Sequence, residues 1–138
     1  MKKLRKIKIK MIKNLAKTID LQFENVVERV KETLKAEGFG VLTSIDVQET
    51  LQKKLGVKFK KYIILGACNP NLAYDVLNKN PEIGLLMPCN IIIYETDDNK
   101  TKVSIFDPLN ISDLIVGESF KNLADEGRKK LENILNQI

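Results

Sequence analysis

Residues 89–107 predict two neighbouring strands joined by a tight turn. An apolar run from Cys89 to Thr96 is followed by the polar segment Asp97-Asp98-Asn99-Lys100 and then by a second run from Lys102 to Asp107. A short polar segment between two strand-like runs is typical of a hairpin, and a hairpin makes its strands antiparallel neighbours. The fold of this chain must therefore contain an antiparallel sheet.

Three further strands precede this hairpin in the chain. Period-two alternation predicts one strand at Lys6–Met11, continuing towards Ile19, and another at Phe39–Val47. The run Tyr62–Ala67 is apolar and rich in β-branched residues, which predicts a largely buried third strand. The residues of the second strand that we expect on one face are Phe39, Val41, Thr43, Ile45 and Val47.

Two stretches with apolar residues at three- and four-residue spacing predict long amphipathic helices. The first begins after Asp20, which we expect to be its N-cap, and ends at Gly38. The second extends from about Phe120 to Ile138. Each helix has one apolar stripe, so both must pack on the sheet or on each other.

Two short helices are predicted between strands. Asp46 with Glu49 resembles a capping box, and Gly56 ends the helix that it begins. Asn69-Pro70 begins the other helix, since Asn is a good N-cap and Pro suits the first helical position, and Asn80-Pro81 ends it. The element order predicts an α+β fold, β-α-β4-α, with a five-stranded antiparallel sheet, two long helices on one face and two short inserted helices.

The composition suits one soluble domain. The chain has 138 residues, of which 43% are apolar and 30% charged. No stretch resembles a membrane-spanning helix or the apolar part of a signal peptide, so we expect a cytoplasmic protein whose two cysteines are free thiols. We assign residues 11–138 to a single domain and residues 1–10 to a basic leader or the start of the first strand.

The basic residues are concentrated at the start of the chain, in the leader and the residues that follow it. Lys2–Lys17 contains eight basic residues and no acid, so this segment carries a charge of +8 and the rest of the chain −3, which gives the net charge of +5. Such a run can contact phosphate backbones or anionic lipid, and it can also form a basic amphipathic helix at a membrane. Because charge runs are usually solvated faces, we favour a solvated, lysine-rich first strand with a frayed leader over binding of nucleic acid or a membrane surface. No aromatic residue is interleaved with the lysines, which removes the stacking element expected of a single-strand nucleic-acid platform.

Both cysteines lie where an apolar run meets a Pro/Asn break. Cys68 directly precedes a predicted helix N-terminus, where the helix dipole favours a thiolate; the alternative is a small buried hydrophobe. Cys89 follows the apolar, proline-bounded loop 81–88, which should be covered by protein or line a cavity.

Several chemical classes are excluded or left poorly supported by the residues that the chain contains. It has no histidine, which rules out Ser-His and Cys-His nucleophile pairs and histidine general bases. Two cysteines are too few for a mononuclear zinc site unless a dimer assembles four, and haem could be ligated only by Cys, Met or Tyr. Asp46 and Asp107 lie at predicted strand ends, where capping or turn duties also account for them. The sequence indicates no particular reaction and no particular cofactor.

Several short motifs resemble one known family, domain-of-unknown-function family number 302. In chain order they are Gly38-Phe39-Gly40-Val41-Leu42-Thr43 with Ile45-Asp46-Val47, then Leu65-Gly66-Ala67-Cys68-Asn69-Pro70, then Glu82-Ile83-Gly84-Leu85-Leu86-Met87-Pro88-Cys89-Asn90, and Asp107-Pro108. The resemblance covers roughly Ile19 to the C-terminus and implies a TATA-binding-protein-like fold and a homodimer, but no reaction. Met87 stands where the family commonly has Leu, a nearly volume-conserving difference.

Three functional hypotheses follow. The first is a homodimeric domain that binds a small hydrophobic or redox-active ligand near Cys68 and Cys89, with the loop 81–88 in the wall. The second is thiol or metal chemistry at the two cysteines, and the third is a structural or regulatory dimer that binds a macromolecule through its basic leader. The candidate ligand-binding residues are Asp46, Tyr62, Cys68, Asn69, Cys89, Asn90, Tyr94 and Asp107.

Overall fold

The computed structural model describes residues 7–8, 15–114 and 118–138. Its strands are β1 (Leu15–Ile19), β2 (Gly40–Asp46), β3 (Tyr62–Cys68), β4 (Cys89–Glu95) and β5 (Thr101–Ile105). Its α-helices are α1 (Phe23–Ala36), α2 (Val47–Leu55), α3 (Pro70–Lys79) and α4 (Glu118–Gln137), and two 3-10 helices span Pro81–Leu86 and Pro108–Leu114. Within the described ranges, no helix is both long and apolar enough to cross a membrane.

All neighbouring strands of the sheet are antiparallel, in the order β1-β5-β4-β3-β2. The predicted hairpin is formed by β4 and β5, and Ile93 lies opposite Val103. Asn99, in the turn, adopts a positive φ of 62°, a conformation that Asn accepts more readily than most residues. The α+β fold with five antiparallel strands is confirmed.

The core lies between one face of the sheet and the two long helices. Leu65, Ile91 and Ile93 on the central strands are completely buried. Their covering residues are Val26, Val30 and Leu34 from α1, and Leu131 and Ile134 from α4. The apolar stripes predicted for the two helices therefore meet on the same side of the sheet.

The ends of α1 show one correct and one wrong prediction. Gly38 has a φ of 83°, and the Gly38 and Phe39 amides donate to the carbonyls of Lys35 and Leu34, respectively, which is a Schellman ending. The N-cap is Gln22 rather than Asp20, and its side chain makes no capping hydrogen bond. The good capping propensity of Asp20 was misleading because the helix begins two residues later.

The prediction of which residues of the second strand share one face of the sheet was wrong. The pairing of β2 with β3 is irregular between Val41, which lies opposite Ala67, and Thr43, which lies opposite Gly66. Such a bulge adds one residue and reverses the alternation after it, so Val41 and Thr43 lie on opposite faces. Val47 lies outside the strand, as the first residue of α2.

The first strand of the structure, β1, corresponds to the end of the predicted strand towards Ile19. It spans Leu15–Ile19 and pairs with β5 at the edge of the sheet. Ile7 and Lys8 belong to neither helix nor strand, and the rest of the predicted strand Lys6–Met11 lies outside the described residues. The predicted role of the basic leader therefore stays a prediction.

Candidate functional site

An apolar cavity of about 100 Å³ lies at one end of the sheet, beside the last residues of β3 and the first residue of β4. Its walls come from the strand ends, α3, the two 3-10 helices and α4. The apolar side chains that line it include Leu72, Ala73, Val76, Ile83, Leu86, Met87, Phe106, Ile111, Phe120 and Ala124. Among the described residues around it, the only ones with thiol or amide side chains are Cys68, Asn69 and Cys89.

The sequence places α3 against the cavity by a strong start signal. The Asn69 side chain accepts a hydrogen bond from the Leu72 amide at 3.2 Å, and Pro70 follows at the first helical position. The resulting helix directs Ala73 and Val76 to the cavity. The predicted N-cap role of Asn69 is confirmed. Asn69 therefore both caps α3 and lines the cavity.

The proline-bounded loop 81–88 forms the next wall. Most of it is a 3-10 helix, which the Asn80 side chain caps by accepting from the Glu82 amide at 2.9 Å. Ile83 is buried and, with Met87, lines the cavity, whereas Leu85 remains 83% exposed. This loop is apolar largely because one side of it borders the cavity.

Asp107 anchors the opposite wall. Its carboxylate is 1% exposed and accepts from the Leu109 amide and from Arg128 Nε, each at 2.9 Å. The hydrogen bond to Asp107 raises the pKa of Arg128, which also pairs with Glu132. Because Pro108 and Gly127 border the cavity beside these two residues, the ion pair holds the 3-10 helix 108–114 and α4 in place.

The two thiols are neighbours in the sheet. Cys89 lies opposite Ala67, which directly precedes Cys68, and both cysteines border the cavity as free thiols. Burial raises the pKa of the Cys89 thiol, and the charge of Cys68 adds to the effect. No group of three or more metal-ligating side chains occurs within the described part of the chain.

We expect Cys89 to alkylate several-fold more slowly in the native protein than after unfolding in urea at the same pH. Burial favours the neutral thiol, so its thiolate forms at higher pH than in the unfolded chain, and the associated stability is lost as pH rises above the unfolded pKa. Peptide mass spectrometry after timed iodoacetamide treatment between pH 7 and 10 measures both rates. A native pH midpoint at or below that of the unfolded chain contradicts this assignment.

The other candidate residues lie outside the cavity. Tyr62 and Tyr94 stack across β3 and β4 with ring centroids 5.4 Å apart. Tyr62 is six residues along β3 from Cys68, which corresponds to roughly 20 Å. Asp46 caps α2 by accepting from the Glu49 amide at 2.9 Å, and Asn90 is an exposed residue of β4. Of the candidate residues, the structure thus brings Cys68, Asn69 and Cys89 together at the cavity. Asp107 lies behind the cavity wall, directly before the lining residue Pro108.

Sequence reasoning missed several residues that build the site. Phe106, Phe120 and Ala124 all line the cavity, and Arg128 secures its wall. The signal available for Arg128 was weak: it directly follows Gly127, a residue of the predicted apolar stripe of α4. A basic residue beside such a stripe often contacts a buried acid, but sequence alone does not say which acid.

Comparison with known proteins identifies relatives without an assigned activity. Residues 15–138 match the family described as "Domain of unknown function DUF302". A crystal structure of an uncharacterised conserved DUF302 protein from Bacillus stearothermophilus is similar, with a TM-score of 0.79 and 33% sequence identity. That similarity covers 89% of this chain and 97% of the other. Among curated proteins, none matches this chain.

Proposed function

This chain belongs to the DUF302 family of domains of unknown function, and on that premise we propose that it binds a small, largely apolar molecule in the cavity beside Cys68 and Cys89. The observation that carries the proposal is the cavity of about 100 Å³ with almost entirely apolar walls. An engineered apolar cavity of about 150 Å³ in another protein stays dry and binds benzene or xenon. A ligand of a few heavy atoms matches this scale.

The surroundings of the cavity support a site that exists before the ligand arrives. Its walls are strand ends and helices rather than long loops, and they are fixed by the Asn69 cap and the Asp107–Arg128 ion pair. Ordered walls reduce the conformational entropy that a ligand must overcome on binding. The apolar lining supplies the driving force for binding, because apolar side chains make no hydrogen bonds to water that a ligand would have to replace.

We expect xenon to bind the native protein and Ala73→Met to abolish that binding. Ala73 lines the cavity from α3, and a methionine side chain there occupies the space that xenon needs. Xenon-induced shifts in ¹⁵N amide spectra report the site directly. The matched control is Ala36→Met, at an exposed position in the last turn of α1, which should bind xenon as the native protein does. Native-like xenon binding by Ala73→Met contradicts the proposed site.

A thiol function is a second candidate, favoured by the position of both cysteines at the same cavity. A molecule held there would lie beside the Cys89 thiol, whose pKa is raised by burial. The alkylation experiment above tests this candidate when the Cys68 peptide is followed together with the Cys89 peptide, because a redox or nucleophilic role requires at least one of the two thiols to react in the native protein.

We also propose a homodimer formed through the sheet face that is turned away from α1 and α4. Ile45, Ile64 and Ile92 are cross-strand partners in one row on that face, and Ile45 is 48% exposed. An apolar row of this kind is self-complementary across a two-fold axis, so a second copy of the chain suits it. We expect Ile45→Lys to shift the protein towards monomer in light scattering, whereas Leu85→Lys, at another exposed position, should not. An unchanged mass for Ile45→Lys contradicts this interface.

A further inference from the structure

The stretch that joins α2 to β3 has an unusual composition. Residues 53–61, which we call the α2–β3 segment, consist of five lysines, three apolar residues and one glycine, with no acid. The segment includes the end of α2, where Gly56 adopts a φ of 65°, and continues to the start of β3 at Tyr62. Connections on a protein surface are normally polar, so a cluster of apolar residues in this one indicates a contact surface.

The apolar side chains of the α2–β3 segment are exposed on a fixed backbone. Leu55 is 68% exposed, and Val57 and Phe59 are also exposed. The Gln48 side chain donates a hydrogen bond to the Phe59 carbonyl at 2.9 Å, and the Phe59 ring packs against Tyr62 with ring centroids 6.2 Å apart. The exposed apolar surface is therefore a feature of the folded chain.

The lysines of the α2–β3 segment give this surface a positive charge. Two of the five pair with glutamates of α1 and α2. Lys54 and Lys58 form no ion pair with a described residue, and the Lys60 ammonium lies over the Tyr94 ring, 5.7 Å from its centroid. Three positive charges thus accompany the exposed apolar side chains, and an anionic partner with an apolar layer complements both features.

An anionic lipid bilayer suits this surface better than two other occupants. A second copy placed across a two-fold axis would bring lysines against lysines. A single-stranded nucleic acid needs open aromatic faces, whereas Tyr62 and Tyr94 stack on each other and Leu55 and Val57 are aliphatic. At a bilayer, aliphatic side chains enter the boundary between head groups and acyl chains, while lysines contact the lipid phosphates.

We propose that the α2–β3 segment docks the protein on an anionic lipid bilayer, with its aliphatic side chains in the head-group boundary and its unpaired lysines at the lipid phosphates. Binding of this kind is reversible and weakens as salt screens the charges. The segment precedes β3 at Tyr62, whereas the cavity lies beside Cys68 at the other end of that strand. The inference therefore goes beyond the proposed function and does not depend on it.

The charge requirement is tested by co-sedimentation of the full-length protein with vesicles of equal parts phosphatidylcholine and phosphatidylserine. We expect Lys54→Gln/Lys58→Gln to lower the vesicle partition coefficient about tenfold, because both lysines approach the anionic surface. Lys35→Gln/Lys79→Gln is the matched control: it removes the same charge from exposed positions in other helices and should bind within about twofold of the native protein.

The apolar requirement is tested with the same vesicles. We expect Leu55→Ser/Val57→Ser to lower the partition coefficient about three- to tenfold, since less apolar surface enters the bilayer. Leu85→Ser is the matched control, because Leu85 is even more exposed than Leu55 but lies outside the segment, and it should bind as the native protein does. Circular dichroism confirms that each variant is folded.

The outcomes distinguish lipid from nucleic acid. Weaker vesicle binding by both segment variants, with native binding by both controls, supports the proposal. Unchanged binding by either segment variant, or no binding of the native protein to these vesicles, overturns it. The fluorescence anisotropy of a labelled single-stranded oligonucleotide covers the other occupant: oligonucleotide binding that needs the lysines but not Leu55 and Val57, without vesicle binding, overturns the lipid assignment in favour of nucleic acid.

Discussion

Replacing Asp107 with alanine is expected to lower the free energy of unfolding by about 3–5 kcal/mol, the usual cost of removing one partner of a buried ion pair. The change leaves the Arg128 guanidinium, 17% exposed, without its main partner, and it also removes the acceptor of the Leu109 amide. Urea denaturation followed by circular dichroism measures the difference. Xenon binding should weaken as well, because the ion pair holds two walls of the cavity together.

A second substitution distinguishes the lost ion pair from general damage. Arg128→Met in the Asp107→Ala background removes the guanidinium, which keeps only its pair with the more exposed Glu132, so we expect it to recover part of the lost stability. Glu28→Ala is the control, because it breaks an exposed pair with Lys31 and should cost less than about 1 kcal/mol. If Asp107→Ala is no more destabilising than Glu28→Ala, Asp107 does not anchor the wall.

The fold was predictable because its strongest signals are local. The turn Asp97–Lys100 fixed an antiparallel pair, and the apolar spacing of the two long helices fixed their contact faces. The ends of several helices were also well marked in the sequence: Gly38 and Gly56, which follow α1 and α2, both adopt positive φ, and Asn69 caps α3. Each of these features depends on residues within a few positions of one another, which is the range that a sequence pattern reports.

The errors in the fold have causes that a local sequence pattern does not report. The bulge between Val41 and Thr43 reverses the strand alternation, and it depends on pairing with β3 rather than on any residue of β2 alone. The start of α1 at Gln22 lacks a capping side chain, so nothing in the sequence distinguished it from the better candidate Asp20. Period and propensity predict elements more reliably than their exact registers and boundaries.

The candidate site was predictable only in part. Cys68-Asn69 and the loop 81–88 pointed to the correct end of the sheet, because an apolar loop and a helix cap at one strand end are visible in the sequence. The contribution of α4 was not visible, since Phe120 and Arg128 reach the site from a helix that follows β4 by more than twenty residues. Tyr62 and Tyr94 were attractive as aromatic residues, yet they pair with each other at the opposite end of β3 and β4.

The close approach at Gly66 gives the second large expected effect. A Cβ atom at this position would overlap Thr43 Oγ1 and lie 2.8 Å from Pro88 Cγ. Neither neighbour can move easily, because Thr43 is β-branched and paired with Gly66 in the sheet, while Pro88 has a closed ring directly before β4. Gly66→Ala must therefore displace β2 or β4, and we expect a loss of about 1–3 kcal/mol in the free energy of unfolding.

A double-substitution cycle assigns this cost to its source. Thr43→Ala removes the overlapping hydroxyl, so Gly66→Ala should be less destabilising in that background, with the contact to Pro88 accounting for the remainder. Gly84→Ala is the matched control: an added Cβ there meets Leu77 at an ordinary 3.7 Å, and the expected change is within about 0.5 kcal/mol. Because Gly66 and Pro88 directly precede Ala67 and Cys89, the displacement should also reach the cavity and weaken xenon binding. Native-like stability of Gly66→Ala would mean that β2 and β4 are less tightly fixed around this site than the structure indicates.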